Sequence, residues 1–318
     1  MNEFELINRI FRPLGAARAD VVLGIGDDAA LLQPPPGTEL VACVDTLVAG
    51  VHFPTASDPV DIGWRAAATN LSDMAAMAAD PRWATLALTL PAVDPEWLAG
   101  FAAGLAAAFK PWGVALVGGD TTRGPLTVSV QLMGTVPVGQ ALRRGGARPG
   151  ELVYVSGTLG DAAAGLALLE ESAPACGPVA FLQQRFVRPE ARVALGLALR
   201  GLASSAIDIS DGLLADAGHI AAASGVQFCL RASALPRSSG LLACFDRETA
   251  LRVAATGGDD YELCFTVPRP AAGEIEALAA SLDCDLSCIG VVRAGSGVVL
   301  LDEAGATLGF DRAGYQHF

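Results

Sequence analysis

The sequence has little positive charge and contains a single lysine, Lys110. Its 318 residues carry 21 basic and 34 acidic side chains, which give a formal net charge of −13. A nucleic-acid-binding domain normally presents a basic patch to the phosphate backbone. We find none and therefore expect no nucleic-acid partner. The near-absence of lysine also excludes the G-x-x-x-x-G-K-[ST] phosphate loop and the strand lysine of protein kinases, since no motif of either kind surrounds Lys110.

Cysteine motifs and long apolar runs are also missing. The seven cysteines are scattered, odd in number and without a C-x-x-C pair, which argues against a zinc site and a disulfide framework. The first residues, "MNEFELINRIFRPLG", are amphipathic and carry two glutamates near their start, unlike a signal peptide. The apolar run "FAAGLAAAF" is too short to span a membrane. We expect a cytoplasmic protein that does not enter a membrane.

The pattern of predicted helices and strands indicates an α+β protein with two domains. Strands are predicted at 39–48, 114–120 and 126–137, and helices at 58–79 and 94–113. Helices and strands alternate irregularly along the chain, which does not fit a doubly wound parallel sheet. Glycine and proline cluster in "GGARPGELVYVSG" (145–157), so we place the boundary near residue 148. This gives domains 1–148 and 149–318.

Aspartates recur at glycine-bent turns and strand ends, where backbone can approach a ligand closely. One more, Asp73 in "NLSDMAAM", lies on an apolar helix, where an unpaired charge is costly to bury. Taken alone, each aspartate at a turn or strand end is also typical of an ordinary helix cap or turn. The turn residues are Asp27 and Asp28 in "GIGDDAALL", Asp45 in "CVDT", Asp120 in "LVGGDTTRG", Asp208, Ser210 and Asp211 in "IDISDGL", and Asp259 in "TGGDDYEL".

As a set, these aspartates predict sites for a hard divalent cation. Carboxylate oxygens suit Mg²⁺, Mn²⁺ or Ca²⁺, and the twelve-residue EF-hand spacing is absent. Mg²⁺ is typically held by few protein carboxylates together with waters and substrate phosphates, so a nucleotide is the expected ligand. Its phosphates would then be neutralised by metal, by backbone N–H groups or by arginines. Arg143 and Arg144 in "RRGGARPG" are candidates, although the same pair suits a solvated loop.

The motifs together resemble those of the thiamine-monophosphate kinases, a family of the aminoimidazole-ribonucleotide synthetase superfamily. "GIGDDAAL", "DTLVAGVHF", "NLSDMAAMAADP", "VGGDTTRG", "SAIDISDGL" and "GGDDYELCFTV" occur in this order, and the resemblance extends to the final "GYQHF". It implies direct in-line transfer of a phosphoryl group from ATP to thiamine monophosphate, assisted by several Mg²⁺ ions, without a catalytic side chain. It also implies an amino-terminal ATP- and Mg²⁺-binding domain whose sheet pairs with that of a second subunit in a homodimer barrel.

The same resemblance assigns roles to individual residues. In the family, Ser-Thr often precedes the strand aspartate where this chain has Cys43 and Val44, so a metal would meet backbone carbonyls there, and position 259 is often Glu. The implied metal ligands are Asp27, Asp28, Asp45, Asp73, Asp120, Asp208 and Asp211, with Cys43 and Val44. The implied ATP contacts are Trp112, Gly119, Asp120, Arg144 and Ser210, and the implied substrate contacts are His52, Asp259 and Tyr315.

Two alternatives remain open at the level of the sequence. The first is another ATP-using enzyme of the superfamily, such as a selenophosphate synthetase, a hydrogenase-maturation enzyme or the purine synthetase itself. No cysteine precedes Cys43, and the chain ends in "GYQHF" rather than in a cysteine, which counts against the first two. The second alternative is a non-enzymatic protein that binds divalent metals.

Overall fold

The computed structural model describes residue 5 and residues 7–15 and 17–317. The chain divides into two compact units. The amino-terminal unit contains the residues up to Met74 and Ala79–Gly139, and the carboxy-terminal unit contains Ala75–Ala78 and the chain from Gln140 onward. Apart from the short segment Ala75–Ala78, the chain therefore passes from the first unit to the second between Gly139 and Gln140. No helix of the described residues is both long enough and apolar enough to cross a membrane.

A four-stranded sheet with the order β3-β6-β4-β5 forms the centre of the amino-terminal unit, and a small hairpin, β1-β2, precedes it. Helix α1 starts where Asp58 accepts a hydrogen bond from the Val60 N–H at 2.8 Å, and helix α2 is capped by Asp94. The elements are β1 (Val21–Leu23), β2 (Leu31–Leu32), β3 (Thr38–Val48), α1 (Pro59–Ala76), β4 (Asp80–Leu90), α2 (Pro95–Phe109), β5 (Ala115–Arg123) and β6 (Thr127–Pro137).

The two helices of this unit lie close together because glycines meet at their crossing. A Cβ added to Gly63 would come within 2.1 Å of the Phe101 carbonyl oxygen, and one added to Gly104 within 1.8 Å of the Val60 oxygen. Helix α1 also contacts the sheet, since a Cβ on Gly134 of β6 would meet the Met74 sulfur at 2.9 Å. One face of the sheet is therefore covered by α1.

The opposite face of the four-stranded sheet is open over β3. Side chains alternate along a strand, and in β3 Leu40 and Val44 are 55% and 63% exposed whereas Leu47 is buried. In β6 the alternation continues, with Val130 and Leu132 buried. The sheet thus has a buried face under α1 and an open face that carries apolar side chains.

Strand β4 is not predicted from the sequence, although it is an inner strand of the sheet. Its residues "DPRWATLALTL" pair antiparallel with β6 and parallel with β5. Buried residues occur on both of its faces, because its Trp83 side also packs under the β1-β2 hairpin. A strand buried on both sides lacks the simple alternation that a pattern search detects.

The carboxy-terminal unit is a seven-stranded, mostly antiparallel sheet with the order β13-β12-β9-β11-β7-β10-β8. Its core lies between the sheet and the helix that follows β8, and includes Ile207, Leu213, Ile220 and Phe228. Its elements are β7 (Leu152–Ser156), α3 (Asp161–Glu170), α4 (Gly177–Val187), α5 (Val193–Ala198), β8 (Ser205–Asp208), α6 (Leu213–Ser224), β9 (Gln227–Arg231), α7 (Ser239–Cys244), α8 (Arg247–Thr256), β10 (Leu263–Val267), α9 (Ala272–Leu282), β11 (Leu286–Arg293), β12 (Gly297–Leu301) and β13 (Thr307–Leu308).

Candidate functional site

A cavity of about 760 Å³ in the amino-terminal unit brings several predicted residues together. Asp27 and Asp28 line it from the turn between β1 and β2, and Gly119 and Asp120 line it from β5. Its volume is in the range of small-molecule sites. Two aspartate motifs that lie about ninety residues apart in the chain thus line one cavity of a size suited to a ligand.

The turn that carries Asp27 and Asp28 is held to the sheet by Asp20. The Asp20 carboxylate accepts hydrogen bonds from Arg18 at 2.8 Å, from Arg82 at 2.8 Å and from the Trp83 indole at 3.3 Å. The hydrogen bond from Arg18 holds the pKa of Asp20 far below its ordinary value, against the opposing effect of burial. Because Arg82 and Trp83 belong to β4, these bonds fix the position of the hairpin over the sheet.

Gly119 allows two backbone segments to approach each other at the wall of the cavity. A Cβ built on it would lie 1.9 Å from the Leu86 carbonyl oxygen of β4. Real Cβ atoms do not come that close, and the atom in the way belongs to rigid backbone. The neighbouring Gly118 has ordinary space, with Thr85 Cγ2 at 3.9 Å. The second glycine of "GGD" is therefore required for packing, whether or not it also contacts a nucleotide.

Asp45 and Asp73 form a second group, on the face of the sheet that α1 covers. Asp45 is two residues from Cys43 on β3, so the two side chains share a face. The Cys43 thiol donates to the Asn70 side-chain oxygen of α1 at 3.5 Å. Burial, and then the charges of Asp73 and Asp45, raise the pKa of Cys43 well above its ordinary range. The helix aspartate and the strand aspartate are thus neighbours, with a neutral thiol beside them.

The two groups of aspartates lie on opposite faces of the sheet. Residues that pair directly across neighbouring strands lie on the same face of a sheet. The register pairs Asp120 with Ala87, Ala87 with Ser129, and Ser129 with Thr46, so Asp120 lies on the open face with Thr46. Asp45 is one residue before Thr46 and faces the other way. Three strand spacings, roughly 14 Å, separate β3 from β5. The structure does not place Asp45 and Asp120 in one compact cluster.

No group of three or more His, Cys, Asp or Glu side chains among the described residues is arranged to hold a metal ion by itself. The donors present are nevertheless carboxylate oxygens, in small sets: Asp27, Asp28 and Asp120 around the cavity, and Asp45 with Asp73. Such a donor set fits Mg²⁺, which is commonly bound by one or two carboxylates together with waters and substrate phosphates. It does not fit a closed structural metal site.

Two further predicted residues of the amino-terminal unit lie elsewhere. His52 follows β3, and its Nδ1 accepts a hydrogen bond from the Val48 N–H at 3.0 Å. The ring is therefore fixed in orientation, with Nε2 as the protonated nitrogen. Trp112 is half-buried in the 3-10 turn Lys110–Trp112 between α2 and β5. Neither residue is among those that line the cavity.

In the carboxy-terminal unit the loop from Asp208 to Gly212 is organised by a residue of the helix that follows it. The N–H groups of Ser210, Asp211 and Gly212 all donate to one oxygen of Asp216, each at 3.0 Å. Burial, and then the charge of Asp208, raise the pKa of Asp216 to about 7, while the N–H donors act in the opposite direction. Three carboxylates, on Asp208, Asp211 and Asp216, therefore lie near one another at the start of α6.

Two more predicted residues meet this loop. The Asp259 N–H donates to the Ser210 carbonyl oxygen at 2.9 Å, and the Tyr315 N–H donates to the Asp211 carbonyl oxygen at 2.9 Å. Asp259 itself has a left-handed backbone conformation, with φ of 69°, and accepts a hydrogen bond from the Tyr261 hydroxyl at 3.2 Å. The segment around Tyr315 and the motif "GGDDYEL" therefore both contact the loop of the motif "IDISDGL".

The other acidic residues of "GGDDYEL" are buried and have structural partners. Asp260 accepts hydrogen bonds from the N–H groups of Gly160 and Ala162 at the start of α3, at 2.6 and 3.2 Å. Burial raises its pKa to about 8. Burial alone would raise the pKa of Glu262. The hydrogen bonds from Arg192 and the charges of Arg192 and Arg185 outweigh this effect and keep the pKa of Glu262 below its ordinary value. These two residues fix the loop that presents Asp259.

Arg144 does not lie beside Ser210 within this unit. Its side chain is exposed, and its carbonyl oxygen accepts a hydrogen bond from Ser224 at 3.2 Å. Ser224 ends α6, whereas Ser210 precedes the start of that helix. The twelve residues of α6 correspond to about 18 Å of helix. The two predicted nucleotide contacts are therefore at opposite ends of α6.

Comparison with known proteins accounts for almost the whole chain. Residues 26–136 match the family described as AIR synthase related protein, N-terminal domain, and residues 148–303 match AIR synthase related protein, C-terminal domain. The thiamine-monophosphate kinase of Salmonella typhimurium is 46% identical over an alignment of 318 positions that covers 99% of this chain and 98% of that protein. The chain belongs to the thiamine-monophosphate kinase family.

Solved structures of this kinase family have the same fold. The thiamine-monophosphate kinase from Stenotrophomonas maltophilia superposes with a TM-score of 0.89 at 49% identity, covering 94% of this chain and 96% of that one. The structure of AaThiL complexed with AMPPCP and TMP superposes with a TM-score of 0.81 at 33% identity, covering 99% of this chain and 97% of that one. The expected two-domain architecture with mixed α and β content is thereby confirmed.

Some residues at the sites of this kinase family member are not predicted from the sequence. Arg12 and Asn8 line the amino-terminal cavity and are joined by a hydrogen bond of 3.1 Å. Arg12 is exposed and brings a positive charge to a cavity that otherwise carries carboxylates. No sequence signal marks it, since an arginine in an amphipathic segment is ordinary. Asp216, by contrast, could be found, because an acidic residue in the first turn of a helix often accepts N–H groups of the preceding loop.

Proposed function

We propose that this protein transfers the γ-phosphoryl group of ATP to thiamine monophosphate, giving thiamine diphosphate and ADP. The observation that carries the proposal is the 46% identity with a thiamine-monophosphate kinase over 99% of the chain. The relative complexed with AMPPCP, an ATP analogue, and TMP supports the same pair of substrates. In the reaction an oxygen of the acceptor phosphate forms a bond with the γ-phosphorus, and the bond from that phosphorus to the β-γ bridging oxygen breaks.

The residues of the chain contribute positioning and charge rather than a reactive side chain. The acceptor phosphate is already largely ionised near pH 7, because its second pKa is about 6, so no general base is required. Phosphoryl transfer depends mainly on alignment of the groups and neutralisation of their charge. In the amino-terminal cavity, the nucleotide lies against the backbone of β5 at Gly119, and Arg12 supplies a cation for its phosphates.

The carboxylates described above would hold Mg²⁺. At the cavity, the ligands would be Asp27, Asp28 and Asp120. On the face of the sheet that α1 covers, they would be Asp45 and Asp73, together with the backbone carbonyl groups of Cys43 and Val44. Asp208 and Asp211 form a further set in the carboxy-terminal unit. When bound with the nucleotide, Mg²⁺ screens the negative charge of the phosphates.

The remaining predicted contacts are proposed as parts of the substrate sites. His52, Asp259 and Tyr315 contact thiamine monophosphate, and Trp112, Arg144 and Ser210 contact ATP. The meeting of Asp259 and Tyr315 at one loop supports their common role. The exposed ring of Tyr315 makes an edge contact with His317, with ring centres 5.0 Å apart, and offers a surface for an aromatic substrate.

We also propose that the protein works as a cytoplasmic homodimer. The open face of the four-stranded sheet exposes Leu40 and Val44, and within the described residues nothing pairs with the outer edge of β3. A long unpaired edge with apolar neighbours favours pairing with another strand, here with a second copy as the resemblance implies. All seven cysteines are free thiols, which suits a reducing compartment.

An assay of the purified protein tests the proposed activity. The protein is mixed with ATP, Mg²⁺ and thiamine monophosphate, and thiamine diphosphate is measured by fluorescence after oxidation. We expect product only when all three components are present. A protein that merely binds metals would form none, and another superfamily activity would leave thiamine monophosphate unchanged.

The variant Asp45→Asn tests the metal assignment. Loss of one carboxylate charge should lower kcat/KM by about 10²-fold or more, as is usual for groups that stabilise charge in a transition state. Asp94→Asn is the matched control, because Asn also caps a helix well and Asp94 lies at the start of α2. Its activity should stay within about twofold of the wild type. If Asp45→Asn keeps full activity, Asp45 is not a metal ligand.

A further inference from the structure

Asp216 occupies an unusual place at the start of α6. It lies in the first turn of the helix, is 2% exposed, and reaches back past Gly212 into the loop that precedes the helix. One of its oxygens accepts three consecutive N–H groups, those of residues 210, 211 and 212, all at 3.0 Å. Three successive N–H donors that converge in this way form a cradle for an anion. Here the anion is supplied by the chain itself.

The geometry of the loop depends on this carboxylate. Gly212 has φ of 121° and passes so close to α8 that an added Cβ would lie 2.6 Å from the Thr256 carbonyl oxygen. The carbonyl oxygens of Ser210 and Asp211 are engaged by Asp259 and Tyr315 respectively. The N–H groups of the loop are held by Asp216, and these two carbonyl groups are held by other segments, so the backbone of the loop is restrained on both sides.

We infer that Asp216 is a positioning residue for the proposed reaction: it holds the Ser210–Gly212 backbone so that Asp208, Ser210 and Asp211 keep the arrangement needed for Mg²⁺ and nucleotide. The inference rests on the proposed function and adds to it a residue that makes no contact with substrate. It also implies that these three N–H groups are not available to a phosphate, which must be neutralised by metal and arginine instead.

The test compares three variants. Asp216→Ala removes the acceptor, whereas Asp216→Asn can place its carbonyl oxygen where the accepting carboxylate oxygen lies. Asp246→Ala is the matched control, because Asp246 also accepts two successive backbone N–H groups, at 2.9 Å, at the start of α8 in the same unit, yet belongs to no proposed site. Removal of either cap should lower the melting temperature by a few degrees.

The kinetic measurements separate positioning from stability. In Asp216→Ala we expect kcat/KM to fall at least about tenfold and the Mg²⁺ concentration for half-maximal activity to rise several-fold. Asp216→Asn should recover a large part of both, and Asp246→Ala should stay within about twofold of the wild type. An unchanged Mg²⁺ requirement and kcat/KM in Asp216→Ala would overturn the inference, as would an equal loss in Asp246→Ala.

Two measurements without turnover keep this test independent of the proposed function. Hydrogen–deuterium exchange should show protected amides at residues 210–212 in the wild type and loss of that protection in Asp216→Ala. Calorimetric titration with Mg²⁺ and AMPPCP should show weaker binding to that variant. If the wild type fails to phosphorylate thiamine monophosphate but both differences are found, the activity proposal fails and the positioning role stands. Equal exchange at these amides in wild type and variant refutes the role.

Discussion

At the scale of single residues, the two glycines of "GGD" have different tasks although they are adjacent. Gly119 lies against the Leu86 carbonyl oxygen, and Gly118 has ordinary space around it. The sequence marks both as turn residues that could approach a phosphate. Only the packing of β5 on β4 shows that the second one has no room for a side chain.

Gly119→Ala should therefore destabilise the protein much more than Gly118→Ala. The methyl group would force the β4 backbone away, and such overpacking costs about 1–3 kcal/mol. Urea unfolding of both variants measures the difference. Equal midpoints for the two variants would show that the β4-β5 contact relaxes without cost.

Asp260 gives a prediction for the pH dependence of stability. Burial raises its pKa in the folded protein to about 8, above its ordinary value of 3.8, although the Gly160 N–H and the charge of Arg185 act in the opposite direction. Folding therefore favours its protonated form. The stability that this group contributes is complete below about pH 4 and is lost as the pH rises through 8. The melting temperature of the wild type should thus contain a component that falls between these values, and Asp260→Asn should remove that component.

Asp246 is the contrasting control for this pH series. It is exposed, and hydrogen bonds from Thr249, both backbone and side chain, lower its pKa. Its contribution is present at neutral pH and is lost only as the pH falls through the acidic range. Asp246→Asn should therefore leave the slope between pH 5 and 8 as in the wild type. If Asp260→Asn also leaves that slope unchanged, Asp260 is ionised in the folded protein.

At the scale of elements, the β1-β2 hairpin depends on a few polar bonds for its position. The hairpin contains five strand residues in all, too few for a stable isolated structure. Asp20 joins it to β4 through Arg82 and Trp83. The turn with Asp27 and Asp28 is thus placed at the cavity by a residue that no motif contains.

Asp20→Ala should lower the free energy of unfolding by about 1.5–3 kcal/mol, as expected for loss of hydrogen bonds to charged groups, and should weaken nucleotide binding. Asp80→Ala is the control, because it loses a single contact with the same Arg82 and is 44% exposed. An exposed ion pair of this kind contributes about 0–1 kcal/mol. Chemical denaturation and a nucleotide titration of both variants give the comparison. Similar effects in both would mean that the hairpin does not depend on Asp20.

At the scale of the whole molecule, the open face of the four-stranded sheet is the surface to which the proposed dimer is assigned. Val44, at 63% exposure, lies in the middle of β3 on that face. A second copy that covers it would bury apolar surface and close the free edge of the strand. The resemblance implies a residue with a hydroxyl group at position 44 in many relatives. In this chain the Val44 side chain adds apolar surface to the open face and does not point toward the side chains around Asp45.

Val44→Glu should shift the proposed dimer to monomer in light-scattering or sedimentation measurements, because an unpaired carboxylate is costly to bury. Val93→Glu is the control, since Val93 is also exposed, at 51%, but lies in the connection between β4 and α2 and not on a strand of the sheet. It should leave the oligomeric state unchanged. A Val44→Glu protein that remains fully dimeric would place the interface elsewhere.

By itself, the sequence determines the local features and the family. The caps at Asp58 and Asp94, the strands around Asp45 and Asp120, and the order of the aspartate motifs all follow from residues close together in the chain, because caps, turns and alternation are local properties. The tertiary structure alone decides that Asp45 and Asp120 face opposite sides of one sheet, that Arg12 joins the cavity, and that Asp216 holds the Ser210 loop. These results depend on strand register and on packing between distant segments, and a pattern along one chain contains no direct measure of either.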